Sequence, residues 1–127
     1  MAGAKGKGGL KHQKYQKILA DYFRNQGKVA VIEAFIGKNV DVLICDNDKT
    51  VAVEIQLTST HCLQIVNDYD LGIDEVWIVC ESARILNNIK SMVQDRLNKA
   101  LFERTKFYLI NELIPHNKEM VKIGDIN

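Results

Sequence analysis

The sequence predicts a single α/β domain, a mixed β-sheet flanked by helices, with its elements in the order αβββαβαβ. Three observations predict it. Three runs rich in β-branched residues follow one amphipathic helix with only turn residues between them. A later run, Val76-Trp77-Ile78-Val79, is apolar without alternation, as in a strand covered on both faces. Helical stripes lie on either side of that run, so its strand arrives by a crossover rather than a hairpin. With 127 residues, 46% of them hydrophobic, the chain can build one core without covalent staples.

Each element has a local reason. Residues 1–9, with Gly3, Gly6, Gly8 and Gly9 among lysines, bury too little to offset ordering entropy and read as a flexible basic arm. From Lys11 to Gln26, Tyr15, Ile18, Leu19, Tyr22 and Phe23 recur at helical spacing, and Gly27 stops the run. Val29 to Ile36, Val40 to Asp46 and Thr50 to Leu57 read as strands, the first two separated by the turn Gly37-Lys38-Asn39. Asn47-Asp48 forms a two-residue hairpin loop, which places Asp46 opposite Lys49. Thr58, Ser59 or Thr60 caps a second helix in which Cys62, Ile65, Val66 and Tyr69 share a face, and Gly72 ends it. Glu75 to Cys80 is the buried strand. Ser82 opens a third helix, Ala83 to Leu101, with Leu86, Ile89, Val93, Leu97 and Ala100 inward, and Lys106 to Ile110 is the last strand. The domain is thus residues 10–114, and residues 115–127 are a tail or an edge strand.

Composition narrows the function. Cys45, Cys62 and Cys80 show neither CxxC nor Cys/His spacing, so no disulfide framework or zinc site is expected and a reducing, cytoplasmic setting fits. No apolar run reaches the roughly 20 residues of a membrane span, so no membrane partner is expected. The net charge of +1 conceals an asymmetry: residues 1–28 carry seven bases against Asp21, +6, and the remainder carries ten bases against fifteen acids, −5. A polyanion is one partner for the basic end, and a solvated helix face with a tail is the plainer alternative.

The chemistry concentrates in the hairpin. In Val51-Ala52-Val53-Glu54-Ile55-Gln56-Leu57, alternation puts Glu54 and Gln56 on one face. The hairpin register places Asp41 opposite Glu54, with Cβ atoms roughly 5 Å apart. Like charges opposed across a sheet repel and raise each other's pKa, so removing one acid should relieve strain. A divalent cation resolves the conflict. Magnesium takes one or two carboxylates and completes its shell with water and phosphate oxygens.

The strings Gly37-Lys38-Asn39-Val40-Asp41-Val42-Leu43-Ile44 and Val51-Ala52-Val53-Glu54-Ile55-Gln56-Leu57 resemble the core of the PD-(D/E)XK nuclease superfamily, and the likeness runs from Leu10 to Cys80. It implies a restriction-endonuclease-like fold, Mg2+ or Mn2+ as cofactor, and Asp41 and Glu54 as metal ligands. The third motif residue, usually Lys, falls on Gln56, as in some members that carry Gln or Glu there. Gln56 can orient the attacking water through its carbonyl but supplies no positive charge. Lys38 is a candidate replacement, but the hairpin register pairs it with Leu57 and points it to the opposite face unless the strand bulges. Glu33, a lone acid in an apolar strand, is a candidate third metal ligand, or else an exposed edge position or a salt bridge. Where the superfamily often draws a further acid from the first helix, this chain offers His12, Gln13 and Gln16.

The resemblance therefore implies a metal-dependent deoxyribonuclease, an endonuclease with catalytic residues Asp41, Glu54 and Gln56. Lys5, Lys7, Lys11, His12, Lys14 and Lys38 are its candidate DNA contacts. The chain is short for a base-reading domain, which favours branched or structured DNA, as in the small Holliday-junction resolvases of that superfamily, and a homodimer to cut two strands. Two alternatives stand beside it. One is a catalytically silent nuclease-fold module for DNA binding or assembly. The other is a small acid-lined regulatory domain appended to a larger motor or partner.

Overall fold

Leu10–Arg24 forms α1 because Gln16, Leu19, Ala20 and Phe23 recur on one face and bury there, while the lysines stay in water. The computed structural model describes residues 9–58 and 62–114. The basic arm with Lys5 and Lys7, the caps Ser59 and Thr60, and residues 115–127 lie outside the described residues. Arg24, in the last turn of α1, donates from Nη2 and Nε to the Ala30 carbonyl at 2.7 and 3.1 Å, tying the helix to the strand that follows.

Three antiparallel strands come next: β1 (Val29–Phe35), β2 (Asn39–Asp46) and β3 (Lys49–Gln56). The β2–β3 register runs from Asp46↔Lys49 to Val42↔Val53, as the hairpin loop predicts, with Asn47 at φ 58° taking the left-handed position. A 3₁₀ helix (Cys62–Leu71) crosses to β4 (Glu75–Cys80), which lies parallel to β3. Then α2 (Ala83–Arg96) and α3 (Lys99–Glu103) lead to β5 (Thr105–Leu109), parallel to β4, and α4 (Ile110–Leu113) closes the described chain. The five-stranded sheet has the order β1-β2-β3-β4-β5.

Period separates the two faces. Val51, Val53 and Ile55 of β3, with Val42 and Ile44 of β2, pack against Leu19, Ala20 and Phe23 of α1 and against Ile110, Leu113 and Ile114. Ala52 points the other way, into a second core with Ile65 of the 3₁₀ helix, Val76 and Ile78 of β4, and Leu86, Ile89 and Val93 of α2. In β4, Val76, Ile78, Val79 and Cys80 are all buried, as expected of a strand covered on both sides. Cys45 is a free thiol.

Several expectations are corrected. The second helix is 3₁₀ rather than α. The third is two helices: Leu97 turns extended, and the Asn98 side chain accepts from Leu101 N at 2.8 Å, capping α3 and leaving Ala100 exposed. The last strand ends at Leu109, because Ile110 opens α4 under the first core. No helix among the described residues is long and apolar enough to cross a membrane.

Candidate functional site

The β2–β3 ladder ends at Val42↔Val53, and the residues expected to face each other next behave differently. Asp41 and Glu54 are not an ordinary cross-strand pair. The Asp41 amide donates to Glu54 Oε1 at 3.4 Å, and the Ile55 amide donates to Asp41 Oδ2 at 2.7 Å. Just past the end of the ladder, two side-chain carboxylates accept from backbone amides. On the outer side Glu33 takes φ 56°, so β1 and β2 pair at Ile32↔Val42 and Ala34↔Val40 but not between. Asp41 is therefore held where β2 has left regular pairing on both sides.

α1 fills the space this opens. Gln16, only 2% exposed, donates from Nε2 to Glu33 Oε2 at 2.6 Å and to the Asp41 carbonyl at 3.1 Å, so one buried amide pins both irregular residues. His12, one turn earlier, places Nε2 3.2 Å from Asp41 Oδ2. That contact, reinforced by the Asp41 and Glu33 charges and opposed by burial, raises the His12 pKa above its ordinary 6.5.

The opposite side of Glu54 holds an arrangement the sequence reading missed. Asp68, on the 3₁₀ helix, is fully buried, and Lys38 Nζ lies 2.7 Å from its Oδ1 and 3.5 Å from Glu54 Oε2. Lys38 was expected on the opposite face. The loss of regular pairing around Asp41 frees the chain before it from that register, and Lys38 turns inward. Burial works against its ammonium, but contact with Asp68 and Glu54 outweighs this and raises its pKa. Burial, then hydrogen bonding to Asp68 and the Asp68 and Asp41 charges, push Glu54 up to about 10, with Lys38 the opposing influence. Lys38 serves Asp68 Oδ1, and the hydrogen bond between the two acids helps keep the proton on Glu54 near neutral pH.

The structure thus gathers His12, Asp41, Glu54 and Lys38 and ties Glu33 to the group through Gln16. Gln56, the last residue of β3, lies beyond Glu54 on the same face and is partly exposed. Lys11 sits apart, 3.2 Å from Glu81, and Lys14 is exposed on α1. Asp68 had one legible signal. A 3₁₀ helix repeats every three residues, so Ile65 and Asp68 share an edge that an α-helical reading through Ile65, Val66 and Tyr69 passes over.

Two adjacent carboxylates are hard oxygen donors of the kind magnesium accepts, and in this respect the residues fit such an ion. Among the described residues no three His, Cys, Asp or Glu side chains are grouped to hold a metal, so a cation on Asp41 and Glu54 would take most of its shell from water and phosphate. Glu33 does not join them as a third ligand in this arrangement. No family model, curated protein or solved structure matches the chain.

Proposed function

We propose that this chain is a divalent-cation-dependent DNA endonuclease of the PD-(D/E)XK kind. The observation that carries the reading is the pair of acids, Asp41 and Glu54, brought together where β2 leaves regular pairing, one of them nearly buried. The element order and the mixed five-stranded sheet support it, since they are what the resemblance implies. Asp41 and Glu54 hold the ion, Mg2+ or Mn2+, which when bound acidifies water and neutralises phosphate charge. Glu54 gives up its proton to take that role. Gln56 orients water through its side-chain carbonyl, and His12 fixes the Asp41 carboxylate. The basic stretch of residues 1–28 provides charge for the DNA backbone. Branched DNA and a homodimer remain part of the proposal, as does a cytoplasmic setting.

A second reading, a catalytically silent DNA-binding module, has one observation in its favour. Lys38 and the Glu54 proton already balance the buried acids, so the fold stands without a cation. The two readings separate in one experiment. Parent, Gln56→Lys and Gln56→Ala are compared at equal DNA occupancy on branched, single-stranded and duplex DNA in Mg2+, Mn2+ or EDTA. Metal-dependent cleavage that Gln56→Lys preserves or raises and Gln56→Ala reduces is the expected result. Three inactive proteins that still bind DNA would leave the silent module.

A further inference from the structure

Lys38 is placed by packing as much as by charge. The residue before it, Gly37, has φ 112°, and a Cβ there would come 3.1 Å from Leu71 Cδ2, so the β1–β2 turn lies close against the end of the 3₁₀ helix. Leu71 is three residues beyond Asp68, on the same edge of that helix. The contact that fixes the turn therefore brings the Lys38 backbone alongside Asp68, and the ammonium reaches both Asp68 Oδ1 and Glu54 Oε2. Asp68 is fully buried and Glu54 nearly so, while 27% of the Lys38 side chain is exposed, so the lysine has a way out that the acids lack.

We propose that Lys38 is a built-in counter-cation of the Glu54–Asp68 pair, and that it must leave Glu54 before a divalent cation can bind there. This rests on the cation-site reading above. The ammonium and a cation on Glu54 would share one carboxylate at contact distance, where like charges repel strongly away from bulk water. The sign follows from charge number. One positive charge already stands at Glu54 and the incoming ion brings two more, so the net effect of Lys38 is to weaken cation binding.

Mn2+ binding to the full chain without DNA, followed by electron paramagnetic resonance, tests this. Lys38→Met and Lys38→Gln should tighten binding by about tenfold, and Lys38→Arg, which keeps the charge, should remain near the parent. In the parent, Mn2+ should also raise acetylation of Lys38 by a small amine-reactive reagent several-fold over EDTA, a measurement that needs no variant to fold. Parental Mn2+ binding with unchanged or weaker affinity in the Met and Gln variants would overturn the proposal alone. Unchanged Lys38 acetylation in a parent that binds Mn2+ would do the same. No Mn2+ binding by the parent or any variant would overturn it together with the cation site.

Discussion

The two ends of the β2–β3 pair carry comparable charge and treat it in opposite ways. At the hairpin end Asp46 faces Lys49, opposite in sign and each about half exposed, and Lys49 reaches Glu75 at 2.9 Å. The ladder there is intact, and the Asp74 carboxylate accepts from Thr50 N at 2.8 Å as a capping side chain would. At the other end Asp41 and Glu54 have the same sign and lie in the protein. The ladder stops, side chains accept from backbone amides, a proton and Lys38 are recruited, and Glu33 adopts a left-handed backbone. Water neutralises the first end at little cost, whereas the second has to be neutralised by the protein itself. It is this second end that the proposed cation site occupies.

The sharpest way to break that contrast is to remove the acid that accepts from the β3 backbone. The sequence leads one to expect relief of repulsion from Asp41→Ala, but Asp41 accepts from Ile55 N and holds His12, so its loss should destabilise the fold by about 2 kcal/mol. Glu54→Gln, which keeps a neutral hydrogen-bonding group where Glu54 is already protonated, should cost less than about 1 kcal/mol at neutral pH. Urea unfolding compares the two. Equal costs would mean that the broken ladder is not what Asp41 sustains.

pH sharpens the same contrast. Because the folded-state pKa of Glu54 is raised, its favourable contribution is complete below its usual value of 4.5 and declines as pH rises toward about 10. His12, also raised, declines in the same direction above 6.5. Asp74, Glu75 and Glu81 are lowered and act oppositely, on the acid side of that window. Stability should therefore fall between pH 5 and pH 9 by up to about 1 kcal/mol per unit, and Glu54→Gln should flatten most of the slope. Thermal melts of the parent and Glu54→Gln across that range decide it; parallel curves would place the titrating proton elsewhere. The smallest effect belongs to the hairpin end, where Asp46→Asn should change stability by no more than about 0.5 kcal/mol and less still in high salt. A larger loss there would erase the difference between the two ends.

Sequence alone determined what depends on near neighbours and on period. The strands, the hairpin register through Asp46↔Lys49, the double burial of β4 and the direction of Glu54 follow from alternation, turn residues and β-branching, which act within a few residues. Tertiary structure decided what depends on how far a regular pattern persists. Lys38 was misplaced, and Asp41 reaches Glu54 through side-chain contacts rather than a regular pair, because a register carried past Val42 assumes a ladder that Glu33, Gln16 and α1 interrupt, and Gln16 is 25 residues from the carbonyl it holds. Asp68 escaped because the second helix winds with a period of three, where the reading took an α-helical face. Its importance comes from Lys38, thirty residues away, and no local pattern connects the two; the packing of Gly37 against Leu71 does.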